Sequence, residues 1–199
     1  MKKSLLATIV ATTVAVTSFQ ANAALEGTWN AGAGLGLSVI NDSDLHKGYS
    51  SDDNSVVNYK IYGEYNFKEW FGVGVDFSYF ENDDEIKGRF NGKDLTGKGE
   101  WETTTLAPYA KFALPLDKNG SDLFVKVGVN FNDYKLRCSD GSKIDDHNFS
   151  ALLGVGGNYK FNQNMGVRAG LDYNSNAHEY LNGAKESIYT FYAAFDYTF

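Results

Sequence analysis

The chain has 199 residues, a formal net charge of −7 and an apolar fraction of 43%, with 21 glycines, two prolines and 30 Phe, Tyr and Trp residues. An acidic chain argues against nucleic acid as a partner, because that binding needs a basic surface. Many short aromatic-rich strands with Gly fit this composition and a helical bundle does not.

Lys2 and Lys3 precede an uncharged run from Leu5 to Phe19, and Ala21-Asn22-Ala23 stands before Ala24. That order reads as a secretory leader over residues 1–23, cleaved to leave a mature domain over 24–199. An uncleaved anchor is the competing reading, but the run is short and diluted by Thr and Ala. Loss of the two lysines takes the charge from −7 to −9. After the leader, no segment approaches a transmembrane helix. Cys138 is the only cysteine, so no intramolecular disulfide is possible in the oxidising compartment the leader implies. A reactive thiol and an incidental loop residue are the two readings of it.

From Trp29 the pattern has a period of two, the mark of strands with one apolar face. Trp29–Val39 sets Trp29, Leu35 and Val39 against Asn30, Gly32 and Ser38. Val57–Phe67 sets Tyr59, Ile61 and Phe67 against Lys60, Tyr62 and Glu64, and a tight Lys68-Glu69 turn follows. Phe71–Phe80 opposes Val73, Val75 and Phe77 to Gly72, Gly74 and Asp76. Thr103–Leu114 has Leu106 and Phe112 opposite Tyr109 and Lys111, and Leu123–Asn132 has Val125 and Val127 opposite Phe124 and Lys126. Asn148–Phe161 and Met165–Asn174 continue the alternation, with Lys160, Arg168 and Asp172 on the polar side. Ser187–Phe199 closes the chain with Tyr189, Phe191, Phe195, Tyr197 and Phe199 on one face and Thr190, Tyr192 and Asp196 on the other.

A terminal strand this regular needs partners on both edges, or it becomes an aggregation site. A closed barrel supplies both. Eight strands of about ten residues suit a bilayer crossing at barrel tilt. The connections after strands two, four and six are short: Lys68-Glu69, Asp117–Asp122 and Asn162–Asn164. Those after strands one, three, five and seven are long and polar: Ile40–Val56, Glu81–Glu102, Asp133–His147 and Ser175–Glu186. The fold class expected is all-β, an eight-stranded antiparallel up-and-down transmembrane barrel with short periplasmic turns and long extracellular loops. Both termini then lie in the periplasm. A soluble lipocalin-type barrel is the structural alternative, but the charged faces here are also the glycine-rich ones, which suits a narrow polar lumen.

The stretches T-W-N-A-G-A-G-L-G-L-S (28–38), G-V-G-V-D-F-S-Y-F (72–80), K-F-A-L-P-L (111–116), G-G-N-Y-K-F (156–161) and L-D-Y-N-S-N (171–176) resemble strands of the OmpA-type family of small porin-like outer-membrane barrels, with OmpX- and Ail-like relatives. The terminal strand resembles the family's C-terminal assembly signal, here Tyr197 and Phe199. With the sequence ending on the eighth strand, the peptidoglycan-binding domain found in full-length OmpA is not expected here. The resemblance also implies a lumenal charge cluster that acts as a gate, with Asp76 and Lys111 at matching strand positions.

Read from the residues alone, the lumen carries Lys60, Glu64, Asp76, Lys111, Lys126, Lys160, Arg168, Asp172 and Asp196. Charges in so narrow a space are costly unless paired, so an ion-paired plug is expected. Glu64, Lys111, Lys126, Arg168 and Asp196 are each about three residues from a strand end and should crowd at one depth. The bland reading is that the pairs only fill the lumen.

No catalytic, cofactor or metal site is expected. Lipid A-modifying enzymes exist on such barrels, and His147 with Ser150 and Asp145 or Asp146 is the nearest approach to a triad, but its spacing matches no motif. His46 and His178 lie in other loops. The acidic groups Asp42/Asp44, Asp52/Asp53 and Asp83/Asp84/Glu85 lack the spacing of a calcium loop, leaving a solvated surface or a divalent bridge to lipopolysaccharide. The glycine strings precede no helix and so are not nucleotide loops. Loop aromatics and cations (Tyr49; Phe90 with Arg89, Lys93 and Lys98; Tyr134 with Lys135 and Arg137; Tyr180) are candidates for contact with host surface, phage or lipopolysaccharide. The expected protein is a monomer in outer-membrane lipid, placed there by the barrel assembly machinery. Its expected role is structural and surface-interactive through adhesion or recognition; the alternative is a small porin-like channel for ions or small solutes.

Overall fold

In the computed structural model, which describes residues 26–41, 55–90, 93–138, 143–179 and 185–199, the alternation becomes one closed sheet. The strands are β1 (Thr28–Asn41), β2 (Ser55–Lys68), β3 (Phe71–Phe90), β4 (Lys93–Pro115), β5 (Asp122–Cys138), β6 (Lys143–Lys160), β7 (Met165–Glu179) and β8 (Lys185–Thr198). Each pairs antiparallel with its sequence neighbour, and β1 pairs with β8 to close the ring. Tyr197 of the terminal strand lies opposite Ala31 on one side and Met165 on the other. Closure leaves this strand no free edge, which is the condition for a sheet to survive in hydrocarbon. The leader, His46, Tyr49, Tyr180 and the acidic pairs Asp42/Asp44 and Asp52/Asp53 lie outside the described residues.

The period of two decides what each face meets. Along β2, Val57, Tyr59 and Ile61 are exposed on the outer wall while Asn58, Lys60, Tyr62, Glu64 and Asn66 are buried. The same holds round the ring: Trp29, Leu35, Leu106, Val125, Val155, Val167 and Phe195 all face outward. A one-residue slip of any strand would turn its lumenal charges onto that wall, so the register is strongly specified.

One end of the barrel carries the short connections and a belt of rings. Trp29–Tyr65 (5.0 Å between centroids), Tyr65–Phe67 (4.8 Å), Trp70–Phe71 (5.7 Å), Phe71–Phe112 (5.5 Å), Tyr159–Phe161 (5.6 Å) and Tyr197–Phe199 (5.0 Å) form it. Aromatic girdles of this kind sit at membrane interfaces. The turn between β4 and β5 uses Gly120 at φ +95°, a conformation side chains rarely adopt. Asp117 accepts the backbone N–H of Asn119 (2.8 Å) and Ser121 (3.0 Å) there, an Asx-type closure. Asn162 does the same for Asn164 and Met165 before β7.

The other end departs from expectation. Glu81–Glu102 is not a long loop: β3 and β4 run on as a hairpin paired to Phe90↔Lys93, with only residues 91–92 between them. Asp133–His147 is likewise mostly hairpin, paired to Arg137↔Lys143. Strand bounds drawn where the apolar alternation stops are therefore too short. Above the apolar band both faces of the sheet carry polar residues, which erases the side-chain pattern while the backbone ladder continues. The first turn also shifts by one residue, to Glu69-Trp70, because a bulge between Asn66 and Lys68 pairs Lys68 with Phe71.

Candidate functional site: a lumenal charge network

The lumen-facing positions hold ten buried charged side chains among the described residues: Lys60, Lys111, Lys126, Lys160 and Arg168 against Glu64, Asp76, Asp122, Asp172 and Asp196. Five cations meet five anions. Asp122 is the member that sequence reading missed; its signal was its place two and four residues before Phe124 and Lys126, on the same face.

These charges sort into two layers. In the first, Lys60 Nζ donates to Asp76 Oδ2 (2.7 Å) and Asp172 Oδ2 (3.0 Å), and Lys126 Nζ donates to the same two oxygens at 2.5 and 2.9 Å. The result is a four-charge ring that ties β2, β3, β5 and β7 together. In the second, Glu64 takes Lys111 Nζ at 2.5 Å, Arg168 Nη1 at 3.1 Å and the Tyr109 hydroxyl at 3.1 Å. Asp196 takes Lys160, the Tyr62 hydroxyl at 2.5 Å and Arg168 Nη2 at 3.5 Å. Glu64 and Asp196 are wholly buried, a burial tolerable only because each carboxylate is bonded this fully.

Counting from strand ends set Lys126 beside Lys111, yet Lys126 bonds Asp76 and Asp172 rather than the Glu64 and Asp196 carboxylates. Lys126 and Lys111 are direct partners in the β4–β5 register. Like charges so placed repel, and each turns to a different set of anions. Which anion each reaches depends on strands that only barrel closure brings together.

Between the layers lie Tyr62, Tyr109 and Tyr192, with Phe124 beside the second layer. Arg168 stacks its guanidinium 4.2 Å from the Tyr62 ring centre and 5.1 Å from that of Phe124. Lys126 Nζ lies 5.0 Å from Tyr109 and 5.2 Å from Tyr192, and Lys60 Nζ 4.9 Å from Tyr192. Such contacts add attraction for a cation removed from water. The glycine strings find their physical purpose here. A Cβ on Gly32 would collide with the Tyr62 ring, one on Gly74 would come within 2.6 Å of Tyr109, and one on Gly156 within 2.5 Å of Phe124. The small faces are cradles for lumenal rings.

Above the four-charge ring, Asn58, Thr105, Asn130 and Thr190 line a polar void of about 10 Å³, room for about one water. Val56, Phe80 and Ile188 then pack into an apolar cap. Two ionic layers, an aromatic layer and this apolar cluster follow one another along the described lumen.

The other candidates are scattered. His147 is exposed on the outer face, with Nδ1 3.6 Å from Asp133, whereas Ser150 is buried in the lumen and bonded to Asn130 and Asn132. Three residues apart on a strand means opposite faces, so the two do not meet. On the hairpins, Glu81, Glu100 and Glu102 bring carboxylate oxygens within 4.8 Å of one another. Arg137 stands 3.8 Å from Glu100 and 3.5 Å from Glu102, and Lys135 is 3.2 Å from Asp133.

Residues 8–199 match the model of the outer membrane protein beta-barrel domain family. No curated protein sequence matches the chain. Among solved structures, Ail of Yersinia pestis in complex with the heparin analogue sucrose octasulfate is 15% identical, covering 87% of this chain and 99% of its own, with a TM-score of 0.60. Neisserial surface protein A is 13% identical over 87% of this chain and 100% of its own (TM-score 0.62). OprG of Pseudomonas aeruginosa is 14% identical over 87% and 96% (TM-score 0.61). At these identities the likeness is one of fold.

Proposed function

The chain belongs to the outer-membrane β-barrel domain family, and from that premise we propose that it is a sealed, envelope-stabilising barrel that presents its projecting hairpins for adhesion or recognition. The lumen carries this reading. Ten buried charges balance five against five, and the polar void above the four-charge ring has room for about one water. Opening a path would require separating pairs that have nowhere else to find partners.

In this reading the short-turn end with its ring belt faces the periplasm, so both termini lie there, and the hairpins stand outside. The outer wall contacts lipid, with lipopolysaccharide around the hairpin bases. Tyr197 and Phe199 serve as the C-terminal signal to the barrel assembly machinery, and the closed sheet needs no second copy to satisfy its edges in the membrane.

The rival is a small porin-like channel gated by the lumenal pairs. The observation favouring it is that side chains alone close the bore: Lys111 Nζ, 2.5 Å from Glu64, is also 3.5 Å from Asp122, whose oxygens accept no hydrogen bond among the described residues. Single-channel recording of the refolded mature protein and of its Lys111→Ala variant separates the two. The sealed reading expects silence from the wild type. A stable wild-type conductance that Lys111→Ala alters transfers the function to the lumen. For the recognition role, deletion of the β3–β4 or β5–β6 hairpin tip should abolish binding to host-cell or phage surface material while the barrel still folds.

A further inference from the structure

Among the buried acceptors of the described lumen, two border one space and lack a donor. Asp172 offers its Oδ2 to Lys60 (3.0 Å) and Lys126 (2.9 Å), whereas its Oδ1 accepts no hydrogen bond. Asn58 donates from Nδ2 to the Ser38 hydroxyl at 3.2 Å, and its Oδ1 accepts none either. Both residues are 3% exposed. A buried acceptor left unpaired pays its full desolvation penalty, so buried oxygens of this kind are nearly always bonded.

Both residues line the polar void above the four-charge ring, Asn58 from β2 and Asp172 from β7. Its volume of about 10 Å³ admits one heavy atom. Ser78, Thr105 and Thr190 add hydroxyl groups to its wall. Charge restricts what can enter. Lys60 lines the same void, and Lys60 with Lys126 already balances Asp76 with Asp172. A further cation would be repelled by these ammonium groups, and an anion by the two bare oxygens. A neutral donor of one heavy atom satisfies both limits, and water is that donor.

We infer that the void is a binding site for a single water, which donates one proton to Asn58 Oδ1 and the other to Asp172 Oδ1. The inference rests on the sealed reading proposed above, since in a conducting bore the same oxygens would meet a moving column of water. A water held in this way completes the bonding of the first ionic layer. It also joins β2 to β7 across the bore a second time, beside the Lys60–Asp172 pair.

The test is a crystal structure of the mature protein in detergent, at a resolution that shows ordered water. One peak about 3 Å from each of the two oxygens is the expected result. Crystals grown in rubidium chloride should give no anomalous peak there; such a peak would make the void a cation site and overturn the inference. Ala107, 2% exposed on the wall of the same void, gives the test in solution. Ala107→Val should expel the water, leave both oxygens bare and shift the unfolding equilibrium by about tenfold. In an Asn58→Leu background, where one of those oxygens is gone, the same change should shift it less. An equal or larger shift there would reduce the effect of Val to crowding and overturn the inference. A continuous file of water past Tyr109 and Tyr192, with conductance from the wild type, would overturn the sealed reading as well. No peak in a barrel that stays silent would overturn this inference alone.

Discussion

The lumen and the projecting sheet are made from the same strands, yet they treat charge in opposite ways. Lower on β4 and β5, Lys111 and Lys126 oppose each other in register and diverge to separate sets of carboxylates. Higher on β4, Glu100 and Glu102 oppose Asp83 and Glu81 of β3 in register, and Arg137 stands 3.8 Å and 3.5 Å from the two β4 carboxylates. Inside, a charge without a partner costs several kcal/mol, and every cation is met. Outside, water and salt reduce the cost of like charges to tenths of a kcal/mol, so an imbalance can persist. The lumenal network therefore ties β2, β3, β5 and β7 together, whereas like charges on the projecting hairpins are tolerated because water reaches them.

The largest effect should come from breaking the sealed network. Glu64→Ala removes the carboxylate that holds both Lys111 and Arg168, each 2% exposed. Lys111 keeps Asp122 and Arg168 keeps Asp196, each at 3.5 Å. The lumen is still left with one buried positive charge in excess, which costs about 3–5 kcal/mol, to be read as a lowered urea midpoint in lipid vesicles. A midpoint unchanged from wild type would mean water already reaches these groups. Next comes Gly32→Val, which drives a side chain into the Tyr62 ring. Overpacking of this kind costs about 1–3 kcal/mol, and Tyr62→Ala in the same chain should recover part of it. Additive losses would show that the ring and the glycine do not share that space.

The smallest effect belongs to the exposed turn. The Ser121 hydroxyl, with the backbone N–H groups of Ser121, Asn119 and Gly120, holds the Asp117 carboxyl below the usual carboxylate range. A depressed folded value means stability present above the unfolded pKa, lost as pH falls from about 3.9 through the lower folded value. Asp117→Asn should flatten that part of the stability profile slightly and leave neutral pH almost unaffected. A profile identical to wild type would show that the turn's bonds contribute nothing to folding.

How much of this was legible beforehand differs between these regions for physical reasons. The fold was readable because one wall meets an apolar medium and the other a narrow polar bore, so the two-residue period is enforced where the strands cross that band. Lys60, Glu64, Asp76, Arg168 and Asp172 could be placed in the lumen from parity alone. The hairpins could not be read, because Glu81 and Glu102 lie where both faces are polar and the period carries no signal. The grouping of charges was hidden as well. Lys126 joins Lys60 rather than Glu64, and Asp122 completes the balance, because the partners come from strands that only barrel closure brings together. Parity along the chain determines which side of the wall a residue occupies; only closure of the sheet decides which partner it meets, since those partners come from strands over a hundred residues apart, as Glu64 and Arg168 do.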